Sequence, residues 1–445
     1  MKQTQKASAP NFSDPRLIEV WQEWQKAPPG QALDKWLKYQ LPKLHLRFED
    51  AKTERASLAL AMIEALRFQQ LVAACECAFE QEDDAPIDWH AWDAQWQPQQ
   101  LAPMDPTVFW GWLSLRVEGK LPNGRAYHQF EWQGRRHCFG SLSGAVVAGS
   151  PLQLLWHGLR PSWRSLLDQR AAASGWSDRD RAHFITRQTQ TPPLWLRLLP
   201  NQDLQAVCAQ LQADDVNAKI VGEHLCALGG RGVQATLPYK RGQLEIQDLA
   251  SQQIAAAVGV QPGQKVWDAC AGAGGKSLAI AARMHNKGSL YATDLHEHKL
   301  TELKRRAKRA EISNIRSFTW DAKAPLKLPQ EVARQQGFDW VLVDAPCTSA
   351  GTWRRNPDAR WRFSATDSRE LVAIQQQILT QAAPAVRAGG HLVYATCSWD
   401  VAENEAQVAW FLAQHNGFSL VSQRLLGCPS EDADTMFVAV MVRAE

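Results

Sequence analysis

Two cysteines, each just past a short hydrophobic run, are the residues of this chain best placed for covalent chemistry. Cys347 closes residues 340–347 and Cys397 closes residues 391–397. Both runs are β-branched and bounded by Gly or Pro, which predicts buried strands of a parallel sheet. In an open α/β sheet, residues past the carboxyl ends of the strands line the ligand crevice. Two thiols at that rim, one of them close after Asp344, suit addition of sulfur to an electrophilic ring. A lone free cysteine is more often a small buried hydrophobe. A pair on separate strand ends behind a glycine loop is harder to read that way.

The glycine loop lies within residues 265–277. Residues 265–268 predict a strand, Gly272, Gly274 and Gly275 a turn, and residues 278–283 a helix. Glycines let the backbone approach a ligand, and a helix N-terminus offers N–H groups to an anion. An ATP loop would share Gly275-Lys276-Ser277, but its first glycine falls at Cys270, so that reading fails. A dinucleotide fingerprint wants Gly or Ala where Ser277 stands. S-adenosylmethionine remains, because its carboxylate needs the same N–H groups without a pyrophosphate. The expected cofactor residues are therefore Cys270, Ala271, Gly272, Ala273, Gly274, Gly275 and Lys276. Asp294 ends the next predicted strand, 26 residues after Asp268, and suits ribose hydroxyls. Asp321 ends the following one and can accept from an adenine amino group. One such aspartate alone reads as a helix N-cap. Asp268, Asp294, Asp321 and Asp344 at four successive strand ends read as a binding crevice.

With these residues in place, the chain resembles the RsmB/Nop/Sun family of RNA cytosine-C5 methyltransferases. The likeness rests on Asp268-Ala269-Cys270-Ala271 with Gly274-Gly275-Lys276, on Asp344-Ala345-Pro346-Cys347, and on Gly351-Thr352 with residues 354–358. Ala395-Thr396-Cys397-Ser398 with residues 403–405, and the upstream segments 192–197 and 242–248, extend it over roughly residues 160–445. Gly272-Ala273 depart from the family's usual Ala-Pro. In this chemistry a thiolate adds to cytosine C6, the activated C5 takes a sulfonium methyl, and loss of the C5 proton lets the thiolate leave. Chemistry alone leaves either cysteine as the nucleophile. The resemblance implies attack by Cys397 and release aided by Cys347. It also implies that Asp344 bonds the cytosine N3/N4 edge and adjoins the cofactor. Lys276 is expected to reach the base or the methionine carboxylate, or else to face solvent. RNA, by default ribosomal RNA, is the implied partner. A non-catalytic RNA-binding protein and an RNA N-methyltransferase are the alternatives, and neither needs a thiol nucleophile.

These residues need an α/β doubly wound, seven-stranded Rossmann-like core, expected over residues 241–445. A small α/β RNA-binding module is expected over 161–240, and a mainly helical N-terminal region of unassigned role over 1–160. In that region residues 14–26, 31–39 and 53–78 predict helices. Trp89, Trp92 and Trp96 form a packing stripe, and residues 105–150 read as hairpins or loops. Arg354, Arg355, Arg360 and Arg362, interleaved with Trp353 and Trp361, have the composition of a single-stranded RNA path. The basic run of Lys304, Arg305, Arg306, Lys308 and Arg309 reads as a solvated helix face. A net charge of +3 is too small to decide for nucleic acid. The nine cysteines show neither a disulfide framework nor paired metal spacing, so no metal is expected. Catalytic thiols imply a reducing compartment, here the cytoplasm. The polar residues 1–6 lack a signal-peptide pattern, no apolar run approaches membrane-span length, and a monomer is expected.

Overall fold

Capping and packing explain the N-terminal helices. In the computed structural model, which describes residues 9–28, 30–81, 85–229 and 232–445, residues up to 172 join 176–191 and 353–362 in one helical unit. The polar residues 1–6 and the acidic residues 82–84 lie outside the described residues. Asp50 accepts from the Lys52 and Thr53 amides and starts a helix, Ala51–Glu80, that runs through the unit's core. By length and composition this helix could cross a membrane, contrary to the expectation that no such run exists. Its middle is instead buried in protein, where two of its charged side chains meet partners. Arg67 donates to the Gln188 carbonyl at 2.9 Å and to Thr191 Oγ1 at 3.0 Å. Glu76 takes the Trp112 indole N–H and the Arg135 guanidinium, both at 2.6 Å.

Residues 105–150 are neither hairpins nor loops. They contain helices Pro106–Glu118 and Phe130–Gly144. Asp105 caps the first, Pro106 opens it, and Gly119 ends it in the left-handed region. The helix buries Phe109, Trp110, Trp112, Leu113 and Leu115. Apolar residues on every side leave no amphipathic period to read. Gly111 lies under the Trp132 ring, where an added Cβ would come within 2.0 Å of a ring carbon. Gly111→Ala, normally favourable in a helix, should therefore destabilise this unit by about 1–3 kcal/mol through overpacking. Thermal unfolding checks it. The tryptophan stripe is a packing face, with Trp96 only 3% exposed.

The α/β unit comprises residues 173–175, 192–352 and 363–445. Four strands, β1 (Leu194–Leu198), β2 (Ala218–Val221), β3 (His224–Ala227) and β4 (Leu244–Ile246), form an antiparallel sheet in the order β2-β3-β1-β4. Residues 161–172 and 176–191 cluster with the helical unit, and β4 completes the small sheet beyond 241. The large sheet contains β5 (Lys265–Asp268), β6 (Ser289–Asp294), β7 (Ile315–Thr319), β8 (Phe338–Asp344), β9 (Val386–Thr396), β10 (Phe418–Leu426) and β11 (Met436–Arg443). Its order is β10-β11-β9-β8-β5-β6-β7, with β5 to β9 parallel and β11 antiparallel between β9 and β10.

Alternation along the central strands fills two cores. Trp267, Val341, Val343, Leu392 and Tyr394 pack on one face. Val266, Leu342, Val393 and Ala395 pack on the other. Both faces are apolar, so these strands read as continuous hydrophobic runs. The chain order reverses between β5 and β8, the switch point where such sheets open a crevice.

Candidate active site

Strand register brings the two thiols together. Asp344 on β8 pairs with Ala395 on β9, and each chain then continues a few residues to its cysteine. Cys347 Sγ lies 3.2 Å from Cys397 Sγ. The hydrogen bond from Cys347, helped by Ser349 and Lys276, holds the Cys397 thiol below its ordinary range against the cost of burial. The same contact, together with burial, pushes Cys347 well above its ordinary value. The contact thus favours ionisation of Cys397 and opposes that of Cys347. Lys276 does not face solvent. Its ammonium donates to Asp344 Oδ2 at 2.7 Å, and although burial opposes its charge, the attraction of Asp344 raises its pKa.

The glycine loop also has the expected geometry. Gly274 caps the helix Gly275–Arg283 at φ +85, and an added Cβ would lie 2.6 Å from Leu303 Cγ. Gly272, at φ +55, faces open space. The Ala271 amide donates to the Thr293 carbonyl, and Ala273 offers its carbonyl to Arg306 at 2.8 Å. Asp294 accepts from the Gly272 amide at 3.0 Å and the His296 amide at 2.9 Å, so it fixes the loop as well as facing it. Burial pushes the Cys270 thiol far up, which leaves it a poor nucleophile. Asp321 lies two residues beyond β7 and is exposed, accepting from the Lys323 amide.

Asp268 supplies a test of the cofactor loop. Its Oδ2 takes the Ser277 hydroxyl at 2.6 Å. Its Oδ1 is buried with no hydrogen-bond partner among the described residues. Burial pushes this carboxyl up to about 7, partly offset by Ser277. An ammonium brought to Oδ1 would satisfy the orphaned oxygen and restore its charge. A ligand with an α-amino and a carboxylate group, such as the methionine part of S-adenosylmethionine, fits this helix start and aspartate.

Some supporting residues had no assigned role in the sequence. Glu403 takes the Thr348 amide at 2.9 Å and the Thr348 hydroxyl at 2.5 Å, fixing the chain just after Cys347. Gln375 bridges Glu403 and the Pro346 carbonyl. Asn404 accepts the Thr396 hydroxyl at 2.6 Å and donates to the Ser398 carbonyl, holding both sides of Cys397. Residues 403–405 were visible only as part of the family pattern.

The expected RNA path of Trp353, Arg354, Arg360 and their neighbours is a correction. Trp353, Arg354 and Arg360 are 0%, 1% and 0% exposed within the helical unit. Arg354 donates to the Arg187 and Gln190 carbonyls, Arg360 to those of Gly158 and Trp353, and Trp361 to that of Leu66. Arg362 pairs with Asp358, and Arg355 is half-buried. Arg354 and Arg360 bind backbone carbonyls. The other basic run is not simply a solvated face either. Arg306 and Arg309 turn inward to Glu245, which is 1% exposed, and so tie β4 to the large sheet's helix layer.

A seven-stranded sheet with a glycine loop at its switch point and acidic strand ends is the Rossmann-like fold of methyltransferases. The family model described as 16S rRNA methyltransferase RsmB/F matches residues 255–439, and the chain belongs to this family. The ribosomal RNA small subunit methyltransferase B of Enterobacter sp. (strain 638) is 31% identical over 303 residues, 64% of this chain and 67% of that one. The protein of Bacillus subtilis (strain 168) named "Probable ribosomal RNA small subunit methyltransferase B" is 40% identical over 180 residues, 40% of this chain and 39% of its own. The Synechocystis protein of the same name is 33% identical over 309 residues, 68% and 65% of the two chains. The chain thus spans 39% and 65% of the length of these last two relatives. Among solved structures, PH0851 shares the fold with a TM-score of 0.70 at 22% identity, covering 98% of this chain and all of that one. A methyltransferase homolog from Pyrococcus horikoshii gives 0.55 at 21% identity, covering 67% and 100%.

Proposed function

We propose that this chain methylates C5 of a cytosine in small-subunit ribosomal RNA, with S-adenosylmethionine as methyl donor. The observation that carries the proposal is the pair of sulfurs 3.2 Å apart beside Lys276–Asp344. An N-methyltransferase or a binding protein has no use for such a pair. The names of the relatives support ribosomal RNA as substrate. Residues 270–276, Asp268 and Asp294 would hold S-adenosylmethionine, with Asp321 facing its adenine. When bound there, it supplies an electrophilic methyl group.

The Cys397 thiolate adds to C6, forming an S–C6 bond and moving an electron pair through the ring so that C5 becomes nucleophilic. Asp344, held by Lys276, accepts from the N4 amino group and, protonated or sharing a proton, bonds N3 and offsets the charge that the ring takes up. Once Cys397 is bonded to carbon, its hydrogen bond no longer holds the proton on Cys347. Once C5 carries the methyl group, Cys347 releases its own proton to solvent and takes the C5 proton, and the C5–H electron pair forms the C5=C6 double bond. The S–C6 bond breaks, and the electron pair returns to Cys397. The small sheet β1–β4 is proposed to guide RNA to the site.

Bisulfite sequencing of ribosomal RNA from cells with and without the gene tests the proposal. A protected cytosine that disappears in the deletion and in a Cys397→Ala strain is expected. An unchanged pattern rejects it. Asp294→Ala should weaken S-adenosylmethionine binding by about 1–3 kcal/mol, through a lost charged hydrogen bond and a loosened Gly272 turn. Calorimetry showing undiminished affinity in a folded variant would remove Asp294 from the binding site.

A further inference from the structure

Ser349 lies two residues after Cys347 in a conformation that serine rarely adopts. Its φ is +57, in the left-handed region, where a non-glycine residue is strained. The Thr352 amide donates to the Ser349 carbonyl at 2.9 Å, and the Thr352 hydroxyl donates to it at 3.0 Å. This geometry directs Ser349 at the Cys397 sulfur. Its Oγ lies 3.5 Å from Cys397 Sγ and accepts from it.

We propose that Ser349 is a positioning residue that stabilises the Cys397 thiolate through its hydroxyl, and that the strained turn places it. In the thiol form the Cys397 S–H donates to Ser349 Oγ. After deprotonation the hydroxyl proton rotates onto sulfur and the pair persists as O–H···S⁻. A hydrogen bond to the charged form is the stronger of the two, so the net effect favours ionisation. The lowered pKa of Cys397 includes a contribution from Ser349. The other groups facing this sulfur are the Cys347 thiol, the Asp344 carboxylate, which opposes ionisation, and the Lys276 ammonium, which favours it. Ser349 adds an uncharged donor to this set. Its use in turnover rests on the reading of Cys397 as nucleophile, but its effect on the thiol does not.

The test is a pH titration of iodoacetamide alkylation at the Cys397 peptide, read by mass spectrometry on the full chain without RNA or methyl donor. Ser349→Ala and Ser349→Gly both remove the hydroxyl. Only Gly also relieves the backbone strain. Both variants should raise the Cys397 pKa by about one unit, with roughly tenfold less thiolate well below it. Ser349→Gly should unfold at a temperature no lower than the parent. Ser349→Thr should retain most of the effect if it folds. A Cys397 titration unchanged in both Ala and Gly variants overturns the proposal. If the titration shifts while Cys397→Ala remains active on RNA, the assignment of Cys397 as nucleophile fails and the Ser349 contact stands.

Discussion

Cys397→Ala is expected to abolish turnover and to form no covalent complex with RNA, whereas Cys347→Ala should trap one. Without the Cys397 sulfur C5 never becomes nucleophilic, so the loss should be about ten-thousand-fold or more. Cys347→Ala leaves the nucleophile in place and removes the group that takes the C5 proton. Methyl transfer should therefore precede a stalled elimination, leaving RNA attached through Cys397. The target base must leave its stack to reach both sulfurs, so the trapped RNA should contain an unpaired or flipped cytosine. Adduct formation should rise with pH through the Cys397 pKa, which lies below the ordinary thiol range. In Cys347→Ala that midpoint should move up, because the variant loses the largest interaction favouring the thiolate. Denaturing gels with RNA and S-adenosylmethionine separate the cases. An adduct from Cys397→Ala and none from Cys347→Ala would reverse the two roles.

The features read correctly from the sequence were those set by local pattern. Strands β5, β6, β8 and β9 are covered on both faces, so their apolar runs are continuous, and Asp268, Asp294 and Asp344 mark their ends. The glycine loop was legible because only glycine suits positions such as Gly274, where φ is positive and Leu303 is close. What depends on distant partners was not legible. Helix Pro106–Glu118 is apolar on all sides and shows no period. Ser349 and Glu403 act through side chains reaching Cys397 and Thr348, 48 and 55 residues away. The arginines near 360 have the composition of a phosphate-binding strip. Nothing local reveals that their partners are the carbonyls of Gly158 and Arg187, 202 and 167 residues earlier.

That misreading gives a prediction opposite to the one composition suggests. Arg360→Ala should destabilise the helical unit by about 3–5 kcal/mol, the scale of a large buried truncation with backbone acceptors left unpaired. Arg360 is fully buried, and its guanidinium donates to the Gly158 and Trp353 carbonyls. Burial and the neighbouring Arg67 also push its pKa well below the ordinary value, so its charge itself is a cost. Arg360→Met keeps most of the volume and relieves repulsion with Arg67. It should therefore lose roughly half as much stability as Ala, mainly from the unpaired carbonyls. A phosphate-binding arginine would behave otherwise. Its loss would leave thermal unfolding unchanged, weaken RNA binding and reduce the salt dependence of that binding by about one counterion. Unfolding curves and salt titrations on both variants decide between the two. Parent-like stability with a shallower salt slope would return this segment to the RNA path.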